Sequence, residues 1–324
     1  MSIRPLLAVG LVLVAAVGCS SSPRKAAEPA TAPATTAAPA GLVRSVGAEP
    51  EGIVYDATTG TVAVAVRSPD RLLLLDPSTL AVRRTVALPG SARHLQLAAP
   101  GGPVLVPAET ADELVQVSLR GGPEVRTKVE KQPHDAAGVS GGKVVVGNEF
   151  GKSASVISDG KVVRTIRGLT QPGGVVGDGT IFGIVDVGAY RLDTYDLSTY
   201  RRSGTIAAGK GPTHGELIGG GRIAVADTRG NQLLIFDVSP LRQVGALALP
   251  GAPYGLAVDR LTDTVWVTLT GRNKVVGVAV SAPAPKVIAS YDTVRQPNTV
   301  AVSPGSRSIW VTGTQAGVVQ RISR

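Results

Sequence analysis

The chain has 324 residues, with 33 Lys and Arg against 24 Asp and Glu for a formal net charge of +9, three His and a single Cys. One cysteine excludes an internal disulfide framework and haem attachment through paired cysteines, so the folded part must be held by packing alone. The basic balance suits anionic lipid, wall polymer or acidic protein surfaces rather than nucleic acid.

Residues 1–18 read as a lipoprotein-type signal peptide. Arg4 precedes an apolar run of 12 residues from Leu6 to Val17, too short to span a bilayer as a helix and typical of an export signal. Ala16, Val17 and Gly18 ahead of Cys19 resemble a bacterial lipobox, with alanine where leucine is commonest. The expectation is lipidation of Cys19 and an extracytoplasmic protein anchored to the membrane of a bacterium. Removing residues 1–18 takes away Arg4 alone among charged side chains and leaves 9 − 1 = +8. Residues 19–40, "CSSSPRKAAEPATAPATTAAPA", offer no large apolar side chain to bury, which predicts a disordered tether.

Residues 41–324 repeat. Turns at Pro50, Ala92, Pro133, Pro172, Pro212, Pro253 and Pro297 are 42, 41, 39, 40, 41 and 44 residues apart, a period suited to four-stranded propeller blades. After each turn comes a strand of small apolar residues ("GLAVDR"), then a β-branched one ("TVWVTL", "SIWVTG"), then a third ("RLLLLD", "QLLIFD") and a fourth ("AVRRTVALPG"). Asp76, Asp196 and Asp237 end third strands, where an Asx turn accounts for them. The seventh unit stops at Arg324 after three strands, and residues 41–48 have the pattern of the missing fourth. The prediction is an all-β, seven-bladed β-propeller of four-stranded blades whose last blade is closed by the N-terminal strand, leaving no edge exposed.

The residues after each turn proline, or after Ala92, are Glu51 and Gly52, Arg93 and His94, His134 and Asp135, Gly173 and Gly174, Thr213 and His214, Tyr254 and Gly255, and Asn298 and Thr299. All three histidines therefore occupy one structural position, the turn at the channel mouth. Loops between second and third strands emerge on the same face and carry Glu109, Asn148, Glu149, Asp186, Asp227, Arg229, Arg272 and Asn273. Such a group could bind a divalent metal, or supply a histidine base oriented by a carboxylate. The alternative is plain turn chemistry, since no H-E-x-x-H spacing fixes a ligand set. "GVSGG", residues 138–142, matches G-x-S-x-G, but no helix follows to make Ser140 a nucleophile. Basic residues on or beside the fourth strands, among them Arg83, Arg84, Arg164, Arg202 and Arg242, read as protection of the rim or as a positive surface for an anionic envelope.

"VWVTLTGRNKVVGVAV" and "RIAVADTRGNQLLIFDVSPLRQVGALALPGAPYGLAVD" resemble the YVTN-type β-propeller repeat, and the repeat style is similar to that of virginiamycin B lyase-like propellers. The resemblance covers residues 41–324 and implies the fold; these families share no single activity. Two functions follow as expectations. The first is a monomeric, membrane-anchored binding module whose channel-mouth face holds a cell-envelope protein or anionic ligand, with Glu51, Arg93, Asp135, Glu149, Asp186, Asp227, Tyr254 and Asn298 as ligand contacts. The second is a lyase or hydrolase acting on a cyclic ester or a sugar-derived polymer. There His214 would be the base, His134 and His94 partners or metal ligands, and a divalent metal the cofactor, as the lyase resemblance implies.

Overall fold

The computed structural model describes residues 25–281 and 284–324. Residues 1–18, which the sequence suggests are a signal peptide, and Cys19 lie outside the described residues. Within them, 28 strands form seven four-stranded antiparallel sheets, joined by turns and four short 3-10 segments. The fold is a seven-bladed β-propeller.

Each blade follows the chain in order from channel to rim. The fifth, for example, runs Pro212–Ile218, Arg222–Asp227, Gln232–Val238 and Leu241–Ala248. The seventh takes Pro297–Val302, Ser308–Gly313 and Val318–Ser323 from the C-terminal end, and Leu42–Ser45 completes it. Leu42 stands opposite Arg321 and Ser45 opposite Val318, so the chain ends close the ring as expected.

The second strands are buried on both faces, as in Thr61–Val66 and Thr264–Leu269, because each sheet is packed between two others. This is why they read as unbroken β-branched runs rather than alternating ones. Seven apolar clusters result, each shared by neighbouring blades. Trp266 and Trp310, in equivalent second-strand slots, are fully buried; each indole N–H is satisfied, donating to Ser306 Oγ at 2.9 Å and to the Pro77 carbonyl at 3.0 Å. The inner strands use small residues because they converge on the channel: a Cβ on Gly138 would lie 2.0 Å from the Ala98 carbonyl oxygen. Asp76 and Asp196 form the expected Asx turns, accepting from the amides of Thr79 and Thr199, both at 2.8 Å.

Composition alone predicts a disordered segment over residues 19–40, yet residues 25–40 lie packed across the channel mouth. They form no strand, but Ala26, Ala27 and Ala32 are buried. Gln296 holds the segment twice, donating to the Ala30 carbonyl and accepting from the Ala32 amide, both at 2.9 Å. Asn273 donates to the Pro33 carbonyl at 2.9 Å, Tyr190 to the Lys25 carbonyl at 2.6 Å, and Arg229 to the Ala26 carbonyl. The composition rule fails here because the segment's backbone carbonyls, not its side chains, make most of these contacts.

Candidate functional site

The site is built on irregularities in the inner strands. In the third blade the pairing register shifts between Pro133 and Asp135, and in the fifth between Pro212 and Gly215. Such bulges release a residue from the ladder and re-aim its side chain. The residues released are His134, and Thr213 with His214. His94 precedes the short inner strand Gln96–Leu97 of the second blade. The three imidazoles meet across the channel: ring centroids are 4.1 Å apart for His94 and His214 and 4.7 Å for His94 and His134. One ring nitrogen from each lies within 4.8 Å of the others.

Hydrogen bonds fix the tautomers. His214 Nδ1 is 3.0 Å from the Tyr254 carbonyl oxygen, which can only accept, so Nδ1 carries the proton and Nε2 offers a lone pair. His94 Nε2 lies 2.8 Å from that Nε2 and is therefore its donor. His134 Nδ1 faces two carboxylates, Glu109 Oε1 at 2.8 Å and Glu149 Oε2 at 3.3 Å, which leaves Nε2 as its other ring nitrogen. Metal-binding histidines are oriented in this way, one nitrogen held by a carbonyl or carboxylate and the other turned to the ion. Glu109, His134 and Glu149 form a second group of converging ligand atoms.

Burial favours the neutral form of all three rings, and the neighbours decide the outcome. Against burial, the hydrogen bonds and charges of Glu109 and Glu149 raise His134 to about 10. Burial and the charge of His134 lower His214 to about 3. Burial and both neighbouring imidazoles hold His94 well below the ordinary range. Glu149 is pulled up by burial but brought down to about 2 by His134, with Gln171 donating to it at 2.7 Å. Without metal the site is a buried imidazolium between two carboxylates beside a neutral histidine pair.

The other expected contacts divide into three sets. Arg93 stands 3.3 Å from Glu109 and 3.9 Å from Glu28 of the covering segment. Tyr254 packs edge-on against His214 at 4.4 Å. Glu51 pairs with Arg67 at 2.9 Å and accepts from Asn298 at 3.2 Å, farther round the same mouth. Asp186 and Asp227, in contrast, are occupied in their own corners. Asp186 accepts from the amides of Thr170 and Gln171, both at 2.9 Å, and Asp227 from those of Lys210 at 3.0 Å and Gly211 at 2.8 Å. A Cβ on Gly230 would fall 1.8 Å from the Asp227 carboxylate, so that corner is built around its buried acid. Asp135 turns down the channel, where it accepts from the amides of Val175 and Ala136, both at 2.8 Å, and from the Gln96 side chain.

Above the imidazoles, Ala26, Ala27 and Glu28 leave only about 20 Å³ against His134, Glu149, Thr213, His214 and Tyr254. Below them a cavity of about 330 Å³, reached by His94 and His214, opens along the inner strands towards the opposite face. It contains Glu216, which sequence position alone does not single out; the signal is its place two residues after His214, on the same side of one strand. Burial and Asp135 push the Glu216 carboxyl up to about 8, with Arg260 pulling the other way.

No protein-family model matches the chain, and no curated protein sequence does. Its fold is shared by solved structures of low identity. A chain of Kuenenia stuttgartiensis hydrazine synthase superposes with a TM-score of 0.73 at 17% identity, over 87% of this chain and 97% of that one. A chain of the mitotic checkpoint complex gives 0.75 at 10% identity, over 92% and 96%. Virginiamycin B lyase from Staphylococcus aureus gives 0.71 at 12% identity, over 87% and 99%. Identities this low carry the propeller architecture and nothing finer.

Proposed function

We propose that this protein is a lipid-anchored, extracytoplasmic binding module whose channel holds a divalent transition-metal ion on His94, His134 and His214. The observation that supports it is the convergence of three imidazoles, two of them with Nδ1 already engaged by a carbonyl or a carboxylate pair. The neutral His94 and His214, joined by His134 once the ion displaces its Nε2 proton, suit zinc or a similar borderline ion, with the fourth position left for water or ligand. Because residues 26–28 fill the space above the rings, a ligand reaches that position along the channel from the opposite face. The basic outer strands suit an anionic envelope surface around the anchor.

The test is metal analysis of the protein and of His214→Ala after loading with zinc. The expected result is one ion per chain, held at least about a hundredfold more weakly by the variant. Equal zinc in both proteins, or none in either, would overturn the assignment.

A second reading, a metal-assisted lyase or hydrolase on a cyclic ester, is favoured by the neutral His94 and His214 rings at the inner end of an open cavity, where a base is wanted. The lyases among the structural neighbours supply the probe. Ring opening of streptogramin B by the zinc-loaded protein and not by His214→Ala supports this reading; an intact substrate after prolonged incubation removes it.

A further inference from the structure

Below the imidazoles the channel carries Asp135, already held by two backbone amides and Gln96, and two further ionisable groups that the metal site does not use. Glu216 projects from the inner strand of the fifth blade, and no hydrogen bond or ion pair to its carboxylate occurs among the described residues. Arg260, in the turn after the inner strand Pro253–Asp259 of the sixth blade, likewise has no ion-pair partner there and is exposed at the rim. Both line the 330 Å³ cavity, and both line a second one of about 510 Å³ that continues it to the face opposite the histidines, between the turns at residues 56–58 and 98–100.

The two groups influence each other electrostatically but form no ion pair with one another. Between and around them stand apolar side chains, Leu97 and Leu217 shared by both cavities and Leu256 and Val258 in the first, beside the hydrogen-bonded Gln96 and Asp135. A pocket of this size with a few convergent polar groups on an apolar wall is the usual form of a small-ligand site. A carboxyl and a guanidinium without partners in one cavity call for one molecule with a cationic N–H donor at one end and a carboxylate at the other, since a cation beside a buried carboxyl favours its charged form.

We propose that the channel binds a small zwitterion of the aliphatic α-amino acid class, its ammonium on Glu216, its carboxylate on Arg260 and its side chain against Leu97, Leu217 and Val258. An ammonium and a carboxylate on one carbon give a single molecule a charge-assisted hydrogen bond of about 2.8 Å to offer at each end. A guanidinium at the outer end suits the planar carboxylate, which it can grip with two parallel N–H donors. The choice of the channel rests on the binding-module reading, but nothing here depends on the metal.

The experiment is titration calorimetry of the protein with L-leucine, L-leucine methyl ester and 4-methylpentanoate, with zinc content measured on the same samples. The ester keeps the ammonium and the pentanoate keeps the carboxylate. The expected result is binding of leucine with a dissociation constant on the order of 100 μM, and of the two analogues about ten- to hundredfold more weakly. Glu216→Gln and Arg260→Gln, checked for an unchanged melting curve, should each lose a similar factor for leucine. Ester or pentanoate binding as tightly as leucine, or no leucine binding in folded protein, would overturn the proposal, and zinc retained in the same samples would leave the metal site standing. Leucine binding in protein that takes up no zinc would support it and strike only the metal.

Discussion

His134 differs from its two neighbours because of what lies behind it. Glu109 and Glu149 hold the ring charged up to about 10 against burial, while His214, buried beside that charge, stays neutral down to about 3. In an unfolded chain each ring titrates near 6.5. In metal-stripped protein His134 therefore contributes stability that is complete below about 6.5 and is lost as pH rises through about 10. For His214 the unfolded chain takes up a proton that the folded ring refuses, so its contribution is present above about 6.5 and is lost as pH falls towards 3. Melting curves across pH should show that His134→Gln flattens the alkaline decline between about 7 and 10 relative to wild type, and His214→Gln the acidic decline between about 6.5 and 3. Parallel profiles for all three proteins would contradict the assignment of charge. The same residues mark how far the site was legible. Counting from each turn proline aligns the three histidines, because blade geometry repeats. It does not by itself tell Glu149 from Asp186 and Asp227: the two aspartates pair with their turn prolines, the place Asn148 takes in the third blade, and Glu149 stands one residue further on, as Glu109 does in the second. That one-residue difference separates them: the aspartates at the strand ends close onto the amides of their own corners, and the glutamates one residue on reach His134. Glu216 was open to strand alternation, but only once the strand's channel side was known.

At the scale of elements, two N-terminal pieces do different work. Residues 25–39 cover the mouth through backbone contacts, whereas Leu42–Ser45 pairs along a whole strand. Removing 25–39 should leave the melting temperature within a few degrees, because few large apolar groups are uncovered, and should speed zinc uptake by opening the space above the rings. Removing 25–45 bares the edge of Val318–Ser323 and should give aggregation visible by light scattering. Equal behaviour of the two truncations would refute the division. The strand was readable from the count of three strands in the last unit. The cover was not, because Ala, Pro and Thr carry no periodic signal and its partners, Gln296, Asn273 and Arg229, lie more than 200 residues away.

The whole molecule enters through the origin of the imidazoles. They come from the second, third and fifth blades, so the site exists only in the closed ring, and a bound metal would tie together parts of the chain 120 residues apart. Zinc at a hundredfold excess over its dissociation constant should stabilise the folded state by about 2.7 kcal/mol, read as a rise in melting temperature that is absent in His214→Ala. The architecture itself was legible because its signals are redundant: the turn recurs every 39 to 44 residues, and a misread blade is corrected by its neighbours. A site built once, from three positions that need not be adjacent, has no such redundancy. The most direct measurement is X-ray absorption at the zinc edge of the loaded protein. Three imidazole nitrogens at about 2.0–2.1 Å, falling to two in His214→Ala, is the predicted result; a shell of oxygen ligands unchanged by the substitution would contradict it.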